Sequence, residues 1–231
     1  RRNSISRAAY GIYVQGNATL AQYNQNTVVD SNSITTAGGD AFQGMYFRYC
    51  SAPKVKYNNI QKNGCCADRG VEMNNISNGG EFSYNKLITT GGFNFGLLLQ
   101  TINTNGETTP LMVFNNFISS NSGTYNFYVV SSNYINFFNN SLYINSGIYN
   151  MYANSSGTNS NINIVNNSFK SPSGLTSLFV GGTNVTTARA MIGECNYNNY
   201  YQGSGSAGEN LLNLQGTNYT ISTIKGAIKA S

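Results

Sequence analysis

The chain has 231 residues, which suits one domain or one solenoid, and only 9% of them are charged, far below the usual quarter. Asparagine alone is about one residue in six, apolar and aromatic residues recur throughout, and the longest apolar run lies around Leu97–Leu99; this excludes a disordered chain and a membrane-spanning helix, which needs about 20 apolar residues. The net charge of +5 is scattered, with no dense basic patch for nucleic acid, and the absence of histidine excludes a His-dependent triad and the commonest general base.

Along the chain, Asn, any residue and then a large apolar residue recurs eight times. The set is Asn3-Ser4-Ile5, Asn32-Ser33-Ile34, Asn58-Asn59-Ile60, Asn85-Lys86-Leu87, Asn115-Asn116-Phe117, Asn140-Ser141-Leu142, Asn167-Ser168-Phe169 and Asn198-Asn199-Tyr200. Subtracting residue numbers gives steps of 29, 26, 27, 30, 25, 27 and 31.

A second element follows each of these, a small or polar residue before three strand formers. It begins as Gly11-Ile12-Tyr13-Val14 and Gly44-Met45-Tyr46-Phe47 and ends as Ser177-Leu178-Phe179-Val180 and Asn210-Leu211-Leu212-Asn213. A weaker strand precedes each Asn, as at Val28-Val29, Val55, Phe82 and Val113.

Three short strands per period of about 28 residues describe one turn of a parallel β-helix. A four-residue strand cannot bury a face alone, but stacked on its copy at about 4.8 Å it joins a long parallel sheet. Identical positions then form ladders. Asparagine suits the turns because it tolerates left-handed backbone, and stacked asparagines hydrogen-bond along the ladder. The expected fold is all-β, a right-handed parallel β-helix of about eight coils with three short strands per coil, over residues 1–215. Residues 216–231 are expected to cap it, with Ile221, Ile224 and Ile228 at helical spacing and Thr220 or Ser222 as N-cap. Longer insertions fall around Asn103–Pro110 and Thr183–Arg189.

The repeat resembles that of pectate lyases and of many secreted bacterial proteins, from Asn3 to about Leu214. The tail, Cys195-Asn196-Tyr197-Asn198-Asn199-Tyr200-Tyr201 through Gly216-Thr217-Asn218-Tyr219-Thr220, is similar to the end of β-helix modules in large bacterial cell-surface proteins. The resemblance implies a secreted or surface module, covalently part of a longer chain, that meets a polysaccharide or a protein. No leader sequence or initiating Met precedes Arg1, which fits an excised piece of something longer.

The resemblance also implies two enzymatic mechanisms to search for. Hydrolytic members use clustered aspartates, and this chain has Asp30, Asp40 and Asp68, of which Asp40 and Asp68 occupy one turn in neighbouring coils. Lyase members use Arg or Lys as base, often with calcium, and no oxygen-rich calcium site can be assembled. The charged stretch that brings together Asp68, Arg69, Glu72 and Arg48 is the place for proton abstraction; ordinary ion pairing between coils is the competing reading.

The outward residues of the second strand read Tyr13, Tyr46, Glu72, Leu98, Tyr128, Tyr152, Phe179 and Leu212. Such a stripe marks an interface, and Tyr13, Tyr46, Tyr128, Tyr152 and Phe179 are the candidate ligand-binding residues for a glycan or protein. Flanking loops covering the stripe are the alternative. Cys50 has the spacing to pair with Cys65 or Cys66 one coil away; the other reading is buried free thiols. None of the cysteines has zinc-ligand spacing, and no cofactor is expected. The readings in order are an adhesive or glycan-binding module, a polysaccharide lyase or hydrolase, and a passive stalk.

Overall fold

Each repeat supplies three strands, and each strand pairs with its copy one turn on. The computed structural model describes residues 1–7, 9–37, 42–64, 67–154, 159–172, 174–203, 210–220 and 223–224. They form an all-β parallel solenoid of about seven turns with very little helix. The first sheet stacks Ser4–Ser6, Ser33–Ala37, Asn59–Asn63, Lys86–Thr89, Phe117–Ser120, Ser141–Ile144, Ser168–Ser171 and Asn199–Gln202. Its eight strands bound seven turns, which accounts for the small difference from the expected eight coils.

The second sheet runs from Tyr10–Gln15 through Gln43–Ser51, Ala67–Ser77, Phe93–Ile102, Gly123–Val130, Gly147–Asn154 and Leu178–Val180 to Leu212–Leu214. The third runs from Val28–Asp30 to Ile192–Asn196. Inward rows fill the interior: Ile34, Ile60, Leu87, Ile118, Leu142 and Phe169 from the first sheet meet Val55, Phe82, Val113, Phe137 and Ile164 from the third.

The asparagine ladder is continuous. Each member gives both its backbone N–H and its Nδ2 to Oδ1 of the next, from Asn3 to Asn32 at 3.1 and 3.0 Å and on to Asn167 and Asn198 at 2.9 and 3.0 Å. The remaining Nδ2 hydrogen of Asn58, Asn85, Asn116, Asn140, Asn167 and Asn198 goes to a carbonyl of the third sheet.

Two expectations about this ladder are corrected. The fifth member is Asn116, not Asn115, because Ile118 pairs with Leu87 and Leu142 inside while Phe117 is 41% exposed in the row of Lys86 and Ser141. Nor is it the ladder asparagine that takes the left-handed backbone. That is the residue before it, Arg2, Ser31, Tyr57, Tyr84, Asn115, Asn139, Asn166 or Tyr197, with φ between 54° and 58°. The ladder position selects Asn for its amide, which satisfies buried backbone groups at the corner.

The insertion after Val180 holds a short helix, Val185–Ala190, with Asn184 and Thr187 forming a reciprocal cap. At the end, Thr217–Tyr219 turns back antiparallel on Leu212–Leu214. Ile224 donates its backbone N–H to the Thr220 carbonyl at 2.9 Å; the rest of the expected capping helix, including Ile221, Ser222 and Ile228, lies outside the described residues.

Candidate binding face

The outer face of the second sheet gathers most of the candidate residues. Its central row is Tyr13, Tyr46, Glu72, Leu98, Tyr128, Tyr152 and Phe179, in the expected register. The last member is Asn213 rather than Leu212, which faces the core fully buried opposite Leu178. Leu98 and Glu72 are also buried, so the stripe is interrupted in its middle turns.

A second aromatic row lies three residues upstream: Tyr10, Gln43, Arg69, Phe95, Tyr125 and Tyr149. The offset is three, not two, because consecutive residues face inward between the rows. These are Gly44 and Met45 in the second turn, and Asn126 with Phe127 and Asn150 with Met151 later. In the early turns only glycine fits there. A Cβ on Gly44 would lie 2.4 Å from the Gly70 carbonyl oxygen and 2.7 Å from Ile60 Cγ2. In later turns Asn126 and Asn150 fill the place, with Asn126 donating to Tyr143 O and Asn150 Oδ1, each at 2.8 Å. This second row escaped the sequence reading; the spacing Tyr10-x-x-Tyr13, Phe95-x-x-Leu98, Tyr125-x-x-Tyr128 and Tyr149-x-x-Tyr152 was the available signal.

The two rows merge into one aromatic surface over the later turns. Tyr128 stacks on Tyr152 at 5.2 Å and Tyr152 on Phe179 at 4.7 Å, each pair within 5° of parallel. Phe95 stacks on Tyr125 at 5.7 Å, and Tyr125 tilts against Tyr128 and Tyr152 at 5.0 and 5.1 Å. The ring faces are therefore turned to one another along the solenoid, and the Tyr128 hydroxyl accepts from Asn154 Nδ2. Burial, followed for Tyr125 and Tyr152 by neighbouring tyrosines, pushes the hydroxyls of Tyr125, Tyr149 and Tyr152 upward. They remain donors at neutral pH.

The charged candidates share this face between Tyr46 and Phe95. Arg69 forms an ion pair with Glu72 through Nη1 and Oε2. Glu72 is 2% exposed, and it also accepts from Gln43 Nε2 at 2.8 Å and from Asn74 Nδ2 at 3.1 Å. Both carboxylate oxygens are thus occupied by neighbours. Arg48 sits one row away, opposite Asn74, with its guanidinium 4.7 Å from the Tyr49 ring centre and its Nε buried without a hydrogen bond. Among the described residues Arg48 makes no ion pair.

Asp40 and the side chain of Asp68 lie outside the described residues. Asp30 is elsewhere, 3.8 Å from Arg1. No group of three or more Cys, Asp or Glu converges as a metal site among the described residues. Cys50 is a buried free thiol, pushed by burial up to about 11; Cys65 and Cys66 lie outside the described residues. Burial likewise pushes Cys195 up to about 12. Comparison with protein-family models, with curated proteins and with solved structures finds no match.

Proposed function

We propose that this chain is a module of a longer secreted or cell-surface protein, and that it adheres to a partner protein through the aromatic outer face of its second sheet. The observation that carries the reading is the merged surface of Phe95, Tyr125, Tyr128, Tyr149, Tyr152 and Phe179, half-buried rings locked against one another over four turns. Rings already ordered by their neighbours lose little freedom on binding, and tyrosine edges and hydroxyls suit a contact that is apolar with hydrogen bonds at intervals. The resemblance of the repeat to modules of bacterial surface proteins supports the extracellular setting.

A glycan on the same face is the weaker variant, because saccharide stacking needs an open ring face and the central rings spend theirs on each other. The lyase or hydrolase reading would rest on Arg48, Arg69 and Glu72. Here Glu72 has both oxygens engaged and Arg69 is held in an ion pair within its own strand, while the Gln43 hydrogen bond ties Glu72 to the preceding turn, so neither group is left to act as acid or base. The test is adhesion of protein-coated beads to a panel of cell surfaces before and after treatment with protease or periodate. Loss after protease alone is expected; loss after periodate alone would move the partner to a glycan.

A further inference from the structure

A different face of the solenoid carries a groove. It has a volume of about 450 Å³ and opens on the outside of the third sheet, over the strands Asn133–Phe138 and Ser160–Val165. Its floor is apolar, formed by Phe138 and its register partner Val165, with Phe138 stacked on Phe114 at 5.0 Å and 5°. Its two sides are amides. Asn163 donates to Asn136 Oδ1 at 2.8 Å on one side, and Asn166 donates to Asn139 Oδ1 at 2.6 Å on the other. Each of these bonds uses one of two Nδ2 hydrogens, so Asn163 and Asn166 keep a donor and an acceptor for something in the groove.

One turn downstream, in the left-handed corner position that follows Asn139 and Asn166, stands Tyr197. It is 83% exposed, and among the described residues no other ring touches it. It thus contrasts with the ladder rings of the second sheet, whose faces are covered. Among the described residues the one charged residue lining the groove is Glu194, which accepts from Asn196 Nδ2 at 2.9 Å.

We propose that this groove binds a neutral linear saccharide running along the solenoid axis. An apolar floor takes the C–H face of a sugar ring, paired amides take vicinal hydroxyls, and the open Tyr197 ring supports the next unit. With no cation among the described residues that line it and a carboxylate at one end, the groove disfavours uronate-bearing chains. The site is independent of the second-sheet aromatic face.

The test is calorimetric titration with cellohexaose, xylohexaose and mannohexaose, with an oligogalacturonate hexamer as the acidic probe. The variant Tyr197→Asn removes the ring while keeping the residue type that the two preceding turns use at that corner, so folding is preserved. At least one neutral hexaose is expected to bind wild type, more tightly than the acidic hexamer. Tyr197→Asn is expected to bind it about ten-fold more weakly, the scale of one lost aromatic contact. A Tyr125→Ser, Tyr149→Ser, Tyr152→Ser variant is expected to bind as wild type does. The proposal is overturned if no neutral hexaose binds at millimolar concentration, if Tyr197→Asn binds equally well, if the acidic hexamer is preferred, or if the triple variant loses the sugar. A triple variant that keeps the sugar but fails to adhere would leave the groove intact and separate the two surfaces.

Discussion

Asn116 gives both its backbone N–H and its Nδ2 to the single Oδ1 of Asn140, at 3.0 and 2.9 Å, and receives the same pair of bonds from Asn85 at 2.9 and 3.2 Å. Its amide also reaches the Phe82 and Phe114 carbonyls. Asn116→Ala therefore takes the acceptor from the buried Asn85 N–H and amide and a donor from the Phe82 carbonyl, and should cost about 3 kcal/mol, the upper end for a buried polar group left unpaired. Asn115→Gly, one residue earlier, only relaxes a left-handed backbone and should stay within about 0.5 kcal/mol. Urea unfolding midpoints of the two variants check this; the opposite ranking would restore Asn115 to the ladder.

Gly44→Ala is expected to destabilise by about 1–3 kcal/mol, the usual cost of overpacking. The new Cβ would meet a carbonyl oxygen of the next turn at 2.4 Å, and backbone held in a parallel ladder cannot withdraw. Thermal unfolding of this variant beside wild type measures it, and an unchanged melting temperature would mean the turns are looser than described.

These two positions show what was legible in the sequence and what was not. The repeat was legible because one buried amide per turn is a demand no other residue meets. Its register slipped where two asparagines adjoin, since Phe117 reads as an inward residue until Ile118 is seen beneath it. The same one-residue slip put Leu212 outside instead of Asn213. Half of the aromatic face was missed because strict alternation fails where two consecutive residues turn inward, as Asn126 and Phe127 do. The sequence gathered Arg69 and Glu72 into one charged stretch and offered ion pairs between coils, whereas the pair forms within one strand, and nothing in the sequence indicated that Gln43 and Asn74 would occupy the remaining capacity of Glu72.

Stability should fall at alkaline pH. The thiols of Cys50 and Cys195 lie at about 11 and about 12 in the folded chain against an ordinary 9.0, chiefly through burial, and Tyr200 is raised well above 10.0 for the same reason. A raised value means the folded state holds its proton where the unfolded state has lost it. The contribution is complete below about pH 9 and disappears as pH climbs through 11 to 12. Melting temperature followed across that range should decline, and Cys50→Ala should flatten part of the decline; a profile that stays level would show that these groups titrate normally.

The most direct measurement is adhesion of beads coated with wild type beside beads coated with the Tyr125→Ser, Tyr149→Ser, Tyr152→Ser variant, on cell surfaces with and without protease treatment. Far-ultraviolet dichroism confirms that the solenoid persists in both. The expected result is protease-sensitive adhesion by wild type and a fall to background for the variant. Equal adhesion by the two, or none by wild type on any surface, would contradict a binding role for the second-sheet aromatic face.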